Sequence, residues 1–354
     1  MKIGILTQPL EDNYGGILQN WALQQTFLSL GHEPITIDHG LKYSWIRYFF
    51  SCCKSIVCRF KGGKRIFPHK PRYGRYGSKF TSEFIHNNII KTAPIKNLSN
   101  SILKKYSFDT LVVGSDQIWR PKYSSHIEDG FLEFANDFKG KRIAYAVSFG
   151  VDNWEYTSEQ TKKCKSLVKK FNAISVREDS GIKLCNKYLD LENVVSVLDP
   201  TLLLTVDKYI NLCKNINISK NRYIAVYCID VTKERKFLIN EISKKLGIPT
   251  RVFSANSNIK LTVEEWLAMF RDAEFVITDS FHGTIFSIIF QKPFFIMVNE
   301  ERGRSRFESL LSKFDLNDRM SQNCFNTQIN WDLVFSNLSK LKQQSIKFLN
   351  NSLG

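Results

Sequence analysis

Residues 275–284 read FVITDSFHGT. Four residues of strand character break into Asp279, Ser280, Phe281, His282 and Gly283, and the apolar run TIFSIIFQ follows at once. Parallel α/β sheets bind ligands at such places, beyond the carboxyl ends of their strands. A helix start offers unpaired N–H groups and a positive dipole end, so an anion is favoured there. His282 stands at that point and can exchange a proton near neutral pH. An isolated histidine after a strand often caps a helix or fills the core. Here Asp279, Ser280, Gly283 and Thr284 converge on the same strand end, which predicts a catalytic His282 with Ser280, Gly283 and Thr284 around a bound anionic substrate.

Three further clusters carry chemistry. ERGRSRFESLL places Arg302, Arg304 and Arg306 just ahead of a helix, the makings of a phosphate clamp; surface charge is the plain alternative. SVREDSG puts Arg177 at a strand end, suited to a bidentate grip on carboxylate or phosphate. A salt bridge to Glu178 or Asp179 would be the structural alternative, although neighbours on a strand point to opposite faces. VVGSDQIWRP offers Asp116 and Gln117 to sugar hydroxyls and Trp119 to the sugar's apolar face, unless Asp116 merely caps the next turn. In TQPLEDNYGGILQN, Asn13, Gly15 and Gly16 lie between a strand and a helix, where adjacent glycines let backbone approach a ligand. This is not GxGxxG, so a dinucleotide fingerprint is absent.

The elements that must position these residues alternate. KIGIL (2–6) reads as strand, GILQNWALQQTFLSL (16–30) as an amphipathic helix closed by Gly31, and EPITID (33–38) as strand, a βαβ opening. Strands are expected at 109–115, 142–148, 173–176 and 194–199, with helices at 157–171 and 178–188. The second half repeats the pattern. Strands fall at 222–229, 250–254, 275–278 and 293–298, and helices at 233–247, 262–273, after His282, at 304–314 and at 331–350. Thr262 and Glu265 have capping-box spacing. The fold class is therefore α/β, with two Rossmann-like domains facing a cleft: an N-terminal domain over residues 1–207, a C-terminal domain over 218–330, and a C-terminal helix at 331–354 that crosses back to the first domain.

The chain has 354 residues, 43% hydrophobic and 24% charged, which excludes disorder of the whole. Its formal charge of +16 favours acidic partners. Eight cysteines without CxxC spacing argue against a zinc or redox site and suit a reducing compartment. No carboxylate cluster calls for a metal. MKIGILTQPL is too short and too soon polar for a secretory signal, and no run is long enough to span a bilayer, so a cytoplasmic protein is expected. An interruption at about 41–100 stands apart. Between Asp38 and Glu83 there is no acidic residue, while cations from Lys42 to Lys79 interleave with Tyr43, Trp45, Phe49, Phe50 and others. Such a surface at 41–82 suits the inner face of an anionic membrane. WIRYFFSCCKSIVCRF is too apolar for a nucleic-acid groove, and nucleic acid is not an expected partner. A solvated loop with a short helix at 46–58 is the plain alternative.

The ordered set NYGGILQNWALQ, VVGSDQIW, YAVSFG, SVRED, VLDPTLLL and TDSFHGTIFSIIFQKPF resembles the polysaccharide pyruvyl transferase family over about residues 1–320. The resemblance implies a GT-B-like fold. It implies phosphoenolpyruvate as donor, no further cofactor, and a sugar diol as acceptor, joined as a cyclic pyruvate ketal in a bacterial surface glycan. The family's histidine near phosphoenolpyruvate matches His282, and its strand-end arginine matches Arg177. Some members carry Arg-Leu directly before the histidine where this chain has Ser280-Phe281. Arg304 or Arg306 is expected to supply the missing donor cation. Asp116 is then the candidate acceptor-side base, and Asn13, Gly15, Gly16, Asn20, Gln117 and Trp119 the acceptor-binding set. A lipid-linked oligosaccharide is the favoured acceptor. A GT-B glycosyltransferase taking a nucleotide sugar remains the alternative.

Overall fold

The computed structural model describes residues 1–39, 53, 78–124, 126–218, 221–229, 232–253, 260–298 and 303–354. Arg302 and most of the basic aromatic stretch at 41–82 lie outside the described residues.

Two parallel sheets carry the fold. The first comprises β1 (Lys2–Leu6), β2 (Glu33–Thr36), β3 (Thr110–Val113), β4 (Lys141–Val147), β5 (Ala173–Val176) and β6 (Val195–Ser196), in the order β2-β1-β3-β4-β5-β6. The second comprises β7 (Ile224–Tyr227), β8 (Thr250–Val252), β9 (Phe275–Thr278) and β10 (Phe294–Ile296), in the order β10-β9-β7-β8. The central strands read TLVV, IAVY and FVIT and are buried throughout, as parallel strands covered on both faces must be. Strand order reverses between β1 and β3 in one sheet and between β7 and β9 in the other. These are the two switch points at which such sheets open a crevice.

Local chemistry sets the helix ends. Asn13 caps the helix Tyr14–Ser29 by accepting from Gly16 N at 3.1 Å. The Thr262–Glu265 capping box forms in both directions ahead of the helix Val263–Arg271. The helix Lys233–Leu246 closes at Gly247 with φ of 64°. Strand β6 is far shorter than the apolar run 194–199 suggests. Asp199 leaves the strand to cap the 3-10 turn Pro200–Leu203, accepting from Thr201 N at 3.0 Å. The helix Trp331–Leu353 packs on the first sheet: Phe348 lies against Tyr145, Ser345 Oγ accepts from Leu198 N, and Lys141 Nζ donates to Leu353 O.

One hydrophobic core runs through both sheets. It joins Ile5, Val112 and Tyr145 of the first to Ala225, Tyr227 and Val276 of the second. Its middle is aromatic. Ring centroids stand 5.7 Å apart for Trp21–Tyr209, 5.1 Å for Tyr209–Phe286, 5.2 Å for Phe286–Trp266 and 5.5 Å for Trp266–Tyr14. The two lobes thus share a close-packed seam. Truncating Phe286 to Ala should lower stability by ~3–5 kcal/mol. Hydrogen exchange should then speed up in the helices of both lobes, Tyr14–Ser29 as well as Val263–Arg271; acceleration confined to the second lobe would contradict a shared core.

Candidate functional site

Strand β9 ends at Thr278, and Ser280 caps the helix Phe281–Ile289, its Oγ accepting from Gly283 N at 3.3 Å. His282 therefore sits inside the first helical turn, two positions further into the helix than if the helix began after it. Across the seam, the helix Tyr14–Ser29 begins from the loop after β1. The two helix starts touch: a Cβ on Gly15 would fall 2.1 Å from His282 Nδ1. Only glycine lets that first helical turn lie against the imidazole. Two positive helix ends thus point into one small region.

Asp199 and Arg177 complete the junction. Arg177, at the end of β5, donates from Nη1 to Asp199 Oδ2 at 2.9 Å. Ser115 Oγ donates to the same oxygen at 3.1 Å, and Thr201 N and Oγ1 donate to Oδ1 at 3.0 and 2.6 Å. His282 Nε2 stands 3.6 Å from Asp199 Oδ2, just beyond hydrogen-bond length. The carboxylate links an arginine of the first lobe to a histidine of the second. Burial pushes the Asp199 carboxyl up. His282, the Arg177 guanidinium and the Thr201 hydroxyl outweigh that and hold it well below the usual range.

The second edge of Arg177, Nε and Nη2, is buried and has no hydrogen-bond partner among the described residues. Its nearest carboxylates are Glu178 Oε2 and Asp116 Oδ1, each at 3.7 Å. His282 Nε2 is likewise buried without a partner. The guanidinium lies 4.2 Å from the centre of the Phe281 ring, and Arg306 lies 5.7 Å from the same ring. Burial, with Arg177 adding to it, pushes Arg306 down to about 10. Lys313 Nζ donates to Arg177 O and Ser196 Oγ at 3.2 and 2.7 Å. Glu178 Oε1 holds the loop after β4, accepting from Ser148 Oγ, Phe149 N and Gly150 N. Asp116 has φ of 71° and accepts from Asn13 Nδ2 at 3.1 Å. A left-handed aspartate beside a bulge in β4, where Ala146 has φ of 50°, is strain gathered at a site.

The sequence model of the polysaccharide pyruvyl transferase family matches residues 13–301. The chain belongs to that family. No curated protein matches it in sequence. Among solved structures, a provisionally assigned UDP-N-acetylglucosamine 2-epimerase from Listeria monocytogenes superimposes with a TM-score of 0.50 at 9% identity, covering 97% of this chain and 90% of that one. That likeness shows the two-lobed GT-B fold alone. UDP-GlcNAc 2-epimerase from Methanocaldococcus jannaschii superimposes at 0.49 with 13% identity over 99% and 100% of the two chains.

The structure sorts the residues singled out from the pyruvyl transferase motifs. His282, Arg177, Arg306, Asp116, Asn13 and Gly15 come together at the lobe junction. Gly16 serves the Asn13 cap, and Ser280, Gly283 and Thr284 close the first turn of the histidine's helix, Thr284 Oγ1 donating back to Ser280 O at 3.2 Å. Three expectations are corrected. Trp119 is 0% exposed, stacked on Phe131 at 4.5 Å with Nε1 donating to Gly130 O, so it cannot meet a sugar. Asn20 is fully buried and exchanges hydrogen bonds with Thr36, where it ties its helix to β2. Arg304 is about half exposed and pairs with Glu308 at 2.7 Å, whereas Arg306 is buried against Phe281, so the two do not form the expected clamp. Gln117 acts at one remove, its Oε1 accepting from Arg120 Nη1 at 3.0 Å. Sequence reasoning missed Asp199, Glu178 and Lys313. Among the described residues, no group of His, Cys, Asp and Glu is placed to hold a metal ion, and no helix is long and apolar enough to cross a membrane.

Two expectations follow from this family member's junction. Asp199 titrates below its unfolded value of about 3.9, so it adds stability above that pH, which is lost as the pH falls through the folded value. Asp199→Asn should cost ~3 kcal/mol at neutral pH and flatten the acid limb of a denaturation series; an unchanged acid limb would refute the role. Gly15→Ala should cost ~1–3 kcal/mol by driving a methyl into the imidazole, measured by urea unfolding.

Proposed function

We propose that the chain moves the pyruvyl group of phosphoenolpyruvate onto two hydroxyls of a sugar in a surface-glycan precursor, closing a cyclic ketal and releasing phosphate. One observation carries this reading. In a chain of this family, Arg177 Nε and Nη2 and His282 Nε2 are buried with no hydrogen-bond partner among the described residues, and the two side chains meet through Asp199 where two helix starts touch. That is a seat for a small anion next to a group that can move a proton.

In this reading Arg177, stacked on Phe281, holds a phosphate or carboxylate oxygen pair through Nε and Nη2, and Arg306 supplies the second cation from the other part of the ring. His282 protonates the methylene carbon of the donor, leaving the adjacent carbon cationic. One sugar hydroxyl adds there, phosphate leaves, and the second hydroxyl closes the ring. The two hydroxyl protons end on the new methyl group and on phosphate, so the step is balanced without an oxidant or reductant. Asp199 fixes the imidazole and opposes the charge it carries. Asp116, steered by Asn13, is the candidate base on the acceptor side. His282 is 7% exposed, so the lobes must part at Gly15 for the donor to enter. The acceptor is taken to be lipid-linked, and the cationic aromatic stretch at 41–82 to meet the anionic inner face of the membrane, each cation contributing ~1 kcal/mol.

Wild-type protein incubated with phosphoenolpyruvate and a sugar panel should release phosphate and yield a product heavier by one ketal-linked pyruvate. His282→Ala should lose ~10²-fold or more of that rate with its fold intact by circular dichroism. Turnover of UDP- or GDP-sugars with none of phosphoenolpyruvate would replace this reading with glycosyl transfer.

A further inference from the structure

A polar cleft of about 410 Å³ opens between residues of the first lobe and the start of a helix in the second. One wall comes from the loops after β3 and β4, with Arg120, Lys122, Val151, Asp152, Asn153 and Glu155. The other is the start of the helix Arg304–Ser312, with Gly303, Arg304, Ser305 and Glu308. The size lies within the range of small-molecule sites.

Its chemistry differs from that of the buried junction. Arg120, Lys122 and Arg304 are matched by Asp152, Glu155 and Glu308, so the lining favours neither sign of charge. Among the described residues, Val151 is its one aliphatic side chain and no aromatic side chain lines it. A phosphate would meet carboxylates there, and an acyl chain would meet charge. An uncharged ring of hydroxyls meets both donors and acceptors. The acceptors are held in place. Arg120 grips Glu155 through two parallel bonds of 2.9 Å while also donating to Gln117 Oε1, and Arg304 donates to Glu308 at 2.7 Å. Ser305 Oγ is buried and has no hydrogen-bond partner among the described residues.

The cleft shares loops with the junction. Gly303 has φ of 83°, and a Cβ on it would fall 1.9 Å from Gly150 O, so the two walls approach closely at this glycine. Gly150 N in turn donates to Glu178, the neighbour of Arg177, and Arg306 follows Ser305 directly.

We propose that this cleft is the acceptor subsite and takes an uncharged sugar, with Asp152, Asn153, Ser305 and Glu308 reading its hydroxyls. Gln117 and Arg120 position Glu155 behind them. The inference rests on the pyruvyl-transfer reading for its chemistry and on the cleft alone for its ligand class. Two measurements keep these apart. The first compares wild type with the exposed-wall variant Asp152→Asn/Glu308→Gln, using phosphoenolpyruvate and methyl glycosides of glucose, galactose and mannose. The acceptor KM should rise ~30-fold while phosphoenolpyruvate affinity by calorimetry is unchanged. An unchanged acceptor KM, or an equal loss of phosphoenolpyruvate affinity, overturns the assignment. The second is saturation-transfer NMR of the same glycosides without donor. Signal in wild type that is lost in the variant supports the subsite even if no phosphate is released, in which case only the proposed reaction falls. Absence of signal in wild type, or its survival in the variant, overturns the subsite.

Discussion

The lobe junction depends on one buried carboxylate. Asp199 is taken out of water between the sheets, and an isolated carboxylate there would cost several kcal/mol. It is tolerated because Thr201, Ser115 and Arg177 saturate its oxygens, and His282 arrives on the side left over. Each of those partners comes from a different strand end or turn. Correct closure of both sheets is therefore required before the charge is satisfied, which makes the network a test of the fold as well as a site.

Around that carboxylate the charges are arranged unequally. Arg177, Arg306 and Lys313 converge with two helix starts on a region from which water is largely excluded. Glu178 and Asp116 offset part of this, yet both stand 3.7 Å from the open edge of Arg177. Crowded cations with a donor edge short of acceptors are costly, and an anion relieves that cost. The outer cleft, with its balanced charges, has no such demand. The proposed division, a small phosphoester in the inner seat and a sugar in the outer cleft, is built on that difference in charge.

Much of this was legible in the sequence, and the parts that were not share a cause. The alternating elements, the Thr262–Glu265 cap, His282 and Arg177 depend on neighbours within a few residues, and local pattern reveals such features. Asp199 pairs with a residue 22 positions away, and its role follows from sheet order. The Asp-Pro step in VLDPT was the available hint that the strand stops and the side chain turns inward. Trp119 and Asn20 look polar or stacking-competent in a motif, but burial is a tertiary property that a strand-end position does not fix. The arginine cluster could have been read better. Residues two apart on a helix do not share a face, so Arg304 and Arg306 had to part, one to the cleft and one to the junction.

A crystal structure of the protein soaked with phosphoenolpyruvate reaches the central claim most directly. The account predicts a pair of donor oxygens within about 3 Å of Arg177 Nε and Nη2 and the methylene carbon within reach of His282. Donor bound in the outer cleft beside Arg304, with the inner edge of Arg177 still unfilled, would contradict it.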